Sequence, residues 1–280
     1  MIFYTSNFLA PTPVRAMTSY FSRLSLAIVF ITGVLASGIA SALPITKTAT
    51  INIYQLCDNA GANCAATGPV GDTYFAGSTN NIWEQAGIIF NFNFVSKINS
   101  SAFLHINDSV TGDSFGDLQL TYGGWPSYTS IDLFLVQTIT VDSAGHRAYG
   151  EGWLGVGGLV MGMQDIMGFN GGLGRIDTLA HEIGHNFGLQ PSSLGGVDWH
   201  STNPNNLMAS GSIRSVPTTL SDISPNGLGY DQLTLAQVNY ARQSSLLSNI
   251  TYDTIPEPTS SALFAIALLT LGVSRYRKFG

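Results

Sequence analysis

Runs of alternating apolar and polar residues mark four strands in the first half of the chain. They cover 49–55 (ATINIYQ), 88–95 (IIFNFNFV), 118–122 (LQLTY) and 131–140 (IDLFLVQTIT), all rich in β-branched or aromatic side chains. Between the first two, Phe75, Ile82, Trp83 and Ala86 recur at helical spacing, and Gly87 suits the left-handed residue that closes a helix. A second helical pattern covers 175–189, where Ile176, Leu179, Ala180, Ile183 and Phe187 make one apolar stripe at about 100° per residue. A third spans 230–247 through Leu233, Leu235, Val238, Tyr240 and Leu246. Residues 150–174 are rich in glycine and read as an edge strand with close backbone approach, a flexible loop, or both. Strands and one helix, then a long helix, loops and a final helix predict an α+β domain.

The two ends follow a different pattern. Arg23 precedes an apolar run at 24–42 that closes on Ala40-Ser41-Ala42, the arrangement of a secretory signal peptide, with Met17 as a second candidate start. At the other end, the apolar run 262–273 is short for a permanent membrane span, which needs about 20 residues. The basic cluster Arg275, Arg277 and Lys278 behind it would stay on the cytoplasmic face. The expected organisation is a leader at 1–42, a catalytic domain at 43–254 and a sorting or anchor segment at 255–280.

Within 43–254, six basic residues face sixteen acidic ones, which excludes a nucleic-acid surface built on clustered Lys and Arg. The two cysteines, Cys57 and Cys64, enclose a six-residue Asp/Asn/Gly-rich loop. In an exported chain such a pair reads as a small disulfide, and two lone thiols make a poor zinc site.

The residues that carry chemistry are His181-Glu182-Ile183-Gly184-His185. On a helix the two histidines fall on nearly the same face, opposite the apolar stripe, so both imidazoles can enter one cleft while the stripe is buried. That supplies two nitrogen ligands at the spacing zinc uses, with Glu182 on the flank as a general base. Such pentapeptides also recur by chance, and a third ligand is needed. From Asn186 to Ile255 there is no glutamate; the candidates are Asp198, His200, Asp222, Asp231 and Asp253. Imidazole suits zinc, which favours His200, with Asp198 as runner-up. His105 and His146 read as surface or core polar residues.

His181 to Gly188 resembles the first eight residues of the metzincin zinc motif, HExxHxxG, and Asn205-Asn206-Leu207-Met208-Ala209-Ser210-Gly211 resembles the metzincin Met-turn. The likeness implies a mixed twisted sheet with an active-site helix and a loop-rich C-terminal subdomain ending in a helix, with Met208 beneath the metal. It also implies peptide hydrolysis at Zn²⁺, with Glu182 activating water. One departure is plain: the third ligand of that family falls three residues after the glycine, where this chain has Pro191, so His200 must return through a longer loop. The Pro256-Glu257-Pro258 tripeptide, apolar segment and basic end together resemble the PEP-CTERM sorting signal of Gram-negative bacteria. This implies an exosortase-type partner, transient membrane association through the tail, and a final place in the envelope, outer surface or extracellular matrix.

Three functions compete on these residues. The first is a zinc-dependent endopeptidase. The second is a non-catalytic surface or matrix protein that keeps the same zinc fold, motivated by the displaced third ligand and the abundance of Gly, Ser and Asn. The third, a glycan hydrolase, would need a pair of suitably separated carboxylates, and the sequence singles out none.

Overall fold

The computed structural model describes residues 43–251 apart from 111, 113, 125, 173, 191–199, 225 and 226. The leader, the PEP-CTERM-like tail, Pro191, Asp198 and Asp253 therefore lie outside the described residues. Among the described residues no helix is long and apolar enough to cross a membrane.

Strand β1 (Lys47–Cys57) pairs in parallel with β2 (Ile88–Asn99), the register shifting by one residue after Ile53. The peptide between them carries helix α1 (Ala76–Trp83) and a 3-10 turn (Glu84–Ala86) that ends on Gly87 at φ 63°, the left-handed stop expected from the sequence. After β2 come the short helix α2 (Ser101–Leu104), strand β3 (His105–Asn107) and helix α3 (Phe115–Tyr122). The segment 118–122, expected as a strand, is thus helical. Ser114 caps it by accepting from the Asp117 amide, and Phe115, Leu118 and Gln119 are buried at helical spacing. Leu120 and Tyr122, whose alternation with Leu118 imitated a strand, are exposed.

The long run 131–140 also divides. Its first part is β4 (Ile131–Val136), parallel to β1; its second is β5 (Thr138–Thr140), which joins β3 and β6 (Arg147–Ala148) in a separate three-stranded sheet. The break falls at Gln137, whose amide turns away to the Leu104 carbonyl. β7 (Gly150–Gly152) and β8 (Leu159–Gly162) follow, β8 parallel to β4 and β7 antiparallel to β8. The main sheet therefore runs β2-β1-β4-β8-β7, and β9 (Ser248–Asn249) pairs antiparallel with the start of β1. The result is a mixed sheet in an α+β fold, with β7 at one edge among the described residues.

Every residue of β4 is buried because both faces of the sheet are covered. Ile131, Leu133 and Leu135 join one core with Ile51, Ile53, Leu159 and Met161, while Phe134 and Val136 join another with Leu56, Val160, Leu118 and Ile139. Helix α4 (Met163–Gly168) leads into α5 (Thr178–Asn186), which lies on the first of these cores. The last helix, α6 (Leu235–Ala241), is shorter than the expected 230–247 because Thr234 starts it with a reciprocal capping box to Gln237. Cys57 and Cys64 are joined, closing the loop between β1 and α1.

Strand β7 carries a carboxyl that stays protonated far above its ordinary range. Burial, then Asp108 beside it, push Glu151 up to about 9. The folded protein holds this proton while the unfolded chain gives it up near its usual pKa, so stability is present at acid pH and declines as pH rises towards 9. Glu151→Gln is expected to melt close to wild type near pH 5 and to gain roughly 1–3 kcal/mol over it at pH 9, measured by urea titration at both pH values.

Candidate metal centre

Helix α5 places the histidine pair. Its apolar stripe is seated by Leu179, Ala180, Ile183 and Phe187, all buried, with the Phe187 ring edge-on to Trp83 at 5.0 Å between centroids. The Trp83 indole N–H donates to the Ala180 carbonyl at 3.2 Å, which ties α1 to the middle of α5. With that side held, His181 and His185 turn to the opposite wall, their ring centroids 4.9 Å apart. The helix ends where Gly188 adopts φ +78°. There the Leu189 amide donates to Gly184 O and the Gly188 amide to His185 O, a Schellman closure that a Cβ at 188 would strain.

His200 returns to this wall. Its ring lies 5.4 Å from that of His181 and 5.5 Å from that of His185, and the potential ligand nitrogens of all three fall within 4.8 Å of one another. Of the other sequence candidates, the described ones do not join them. Asp222 is the half-buried last residue of a 3-10 turn, taking bonds from Thr218 and Thr219. Asp231 is buried in a separate charge cluster. His105 bonds to Thr138 and His146 to Asp142.

One turn organises both arms of the group. The Ala209 amide donates to Asn206 O, and within this turn Leu207 O accepts from His181 Nδ1 at 2.7 Å. A carbonyl oxygen can only accept, so this contact favours the tautomer with the proton on Nδ1 and an unprotonated Nε2. The next carbonyl, Met208 O, accepts the Ser201 amide at 2.7 Å and so anchors the residue beside His200. Met208 itself is fully buried under α5, where a Cβ on Gly184 would collide with its Sδ. Glycine at 184 is thus the reason the methionine can lie directly against the helix. On the far side of α5, Cβ atoms on Gly150 and Gly152 would meet Glu182 at 2.8 and 2.7 Å. Of the glycine-rich segment 150–174, residues 150–152 are the edge strand with close backbone approach to α5, while 159–168 form the interior strand β8 and helix α4.

The electrostatics favour neutral imidazoles. Burial, reinforced by Arg214, pushes His181 well below its ordinary pKa; burial, then His200, pushes His185 down to about 4. Glu182 moves the other way, raised to about 7 by burial, with Arg214 and Arg175 pulling it partly back. Three imidazole nitrogens with no oxygen donor among them fit zinc rather than calcium or magnesium, which take oxygen. A cleft of about 410 Å³ opens over His181, Glu182 and His200.

Sequence reasoning missed the charges beneath this cleft. Asp177, fully buried, pairs with Arg175 Nε at 3.3 Å and Arg214 Nε at 2.8 Å. Arg214 Nη1 also donates to Leu207 O at 3.0 Å and abuts His181 Nδ1. Asp231 is buried close by, its pKa raised well above normal by burial and by Asp177. Few basic residues exist in 43–254, and two of six being spent in the interior beside the motif is a signal visible only once the chain is folded.

No protein-family profile matches the chain, and no curated protein matches it in sequence. Among solved structures, it is similar to a zinc-dependent peptidase from Methanocorpusculum labreanum (strain Z), with 12% identity and a TM-score of 0.39 over 69% of this chain and 99% of that one. It is also similar to metalloproteinase-II from Bacteroides fragilis, with 16% identity and a TM-score of 0.35 over 72% of this chain and 58% of that one. The chemistry of the site is therefore read from its own residues.

Proposed function

We propose that the chain is an exported zinc-dependent endopeptidase, with His181, His185 and His200 as ligands and Glu182 as the general base. The observation that carries this reading is the convergence of three imidazoles from α5 and the segment at 200, beside a buried carboxyl on the same cleft. Bound zinc supplies Lewis acidity, making water acidic near neutral pH and polarising a carbonyl. The protein's own groups do the rest. The Leu207 carbonyl fixes the His181 ring through Nδ1. Glu182 takes a proton from the attacking water and carries it to the leaving amine. Gly150, at the start of edge strand β7, lines the cleft, so an extended substrate can lie along that edge by main-chain pairing. An open cleft beside a sheet edge suits cleavage within a chain rather than at its end.

The Cys57–Cys64 bond supports an oxidising, extracytoplasmic compartment. Export through the leader at 1–42 and sorting by an exosortase-type partner acting at 255–280 complete the proposal. The test is hydrolysis of casein and of peptides blocked at both ends by the zinc-loaded full chain. Cleavage that stops with a chelator and returns with zinc supports the reading; zinc bound at full occupancy without turnover on any substrate sinks it and favours a non-catalytic matrix protein.

A further inference from the structure

The cleft over the metal group has an unusual floor. Arg175 and Arg214 both line it, yet they are 2% and 8% exposed. Long cations are seldom buried without a full complement of partners. Here one carboxylate, Asp177, serves both guanidiniums. Among the described residues, neither oxygen of the buried Asp231 carboxylate accepts a hydrogen bond, and the buried Arg175 Nη2 makes none. An arginine offers five N–H donors, and this one commits Nε to Asp177 while its plane is held 4.7 Å from the Tyr149 ring centroid and 5.7 Å from that of Phe169. Stacking fixes the fork without using its donors.

The side facing the cleft is kept clear by glycine. A Cβ on Gly211 would stand 3.3 Å from Arg175 Nη1 and 3.6 Å from Nη2, so any larger residue there would crowd the edge of the guanidinium. Ser210 and Ser212 flank this gap and line the same cleft. Thr178, the first residue of the nine-residue helix α5, also lines it, so the positive end of the helix dipole adds to the two guanidiniums. Glu182 is the opposing charge on this wall, facing Arg175 and Arg214, while Arg147 at the rim is paired with Asp165 at 2.9 Å.

We infer that this cleft is a carboxylate-recognition subsite, in which Arg175, with Arg214 behind it, binds a carboxylate of the substrate next to the bond being cut. The inference rests on the peptidase reading for the place of the scissile bond, while carboxylate binding stands on the cleft alone. The carboxylate has two sources: an Asp or Glu side chain, which accords with cleavage within a chain, or the C-terminus of the substrate, which would turn the endopeptidase reading into cleavage at a chain end. Planar carboxylate against a preset guanidinium fork is the pairing this geometry favours.

The experiment takes the zinc-loaded full chain and three matched peptides: one with an internal Glu, one with Gln in its place and a blocked C-terminus, and one with Gln and a free C-terminal carboxylate. Cleavage and equilibrium binding are both read. Binding or kcat/KM is expected to favour a carboxylate peptide over the blocked Gln peptide by about tenfold or more. Preference for internal Glu assigns an acidic side chain, and preference for the free C-terminus assigns the terminal carboxylate. Arg175→Gln should erase the preference, read as the ratio of carboxylate peptide to blocked Gln peptide within the same variant sample; a carboxylate held by zinc instead would keep its advantage in that variant. Efficient cleavage with equal or better use of the blocked Gln peptide overturns the subsite and leaves the peptidase intact. Carboxylate-dependent binding without any cleavage supports the subsite and defeats the peptidase reading. If Arg175→Gln does not fold, equilibrium binding of the three peptides to the zinc-free full chain decides: a carboxylate preference that survives zinc removal supports the subsite, and equal binding of all three overturns it.

Discussion

Glu182→Gln is expected to keep its zinc and to lose peptide hydrolysis by about 10²–10⁴-fold, the range a positioned general base contributes. Gln has the same size and keeps the hydrogen-bonding edge, so packing against Gly150 and Gly152 survives. What it lacks is the ability to take a proton. The loss should fall in kcat, with KM little changed, because the carboxylate acts on the reacting water rather than on substrate binding. Metal content measured on the same sample separates a lost base from a lost ligand. Wild-type turnover in this variant would remove Glu182 from the mechanism.

Asp177→Asn should be the most damaging single change to stability outside the apolar core. The carboxylate bridges two guanidiniums, and its removal leaves both buried without a countercharge in contact. Breaking a buried pair by deleting one partner costs about 3–5 kcal/mol, far more than a surface ion pair. Arg214 also touches the carbonyl that orients His181, so the damage reaches the metal site. The expected result is a Tm many degrees below wild type together with weakened zinc affinity, read by thermal melts with and without metal. An unchanged Tm would mean that the cluster is solvated and does not buttress the site.

Local signals carried much of this fold. The stripe from Ile176 to Phe187 placed the histidines on the correct wall, and Gly87 and Gly188 ended their helices in left-handed backbone, as lone glycines after periodic segments do. The alternation in 131–140 was real, but period two cannot tell one sheet from another, so the crossing at Gln137 was invisible. Leu118, Leu120 and Tyr122 misled for the opposite reason: a short alternating run fits both a strand and one face of a helix, and the Ser114 cap decided it. In the site, the two histidines four apart were legible from helix geometry alone. The return of His200 was reached by elimination; what brings it there, the Ser201 amide on Met208 O, is a contact between distant carbonyls and amides that no sequence pattern encodes. The buried Arg175–Asp177–Arg214 cluster was missed because charged residues near a motif ordinarily read as surface.

Metal analysis of His200→Ala beside Asp198→Ala decides whether three imidazoles hold the zinc. One zinc per chain is expected in wild type and in Asp198→Ala, and a large loss of bound zinc in His200→Ala after dialysis against a competing chelator. Full zinc occupancy in His200→Ala, with loss in Asp198→Ala, would contradict the three-imidazole site.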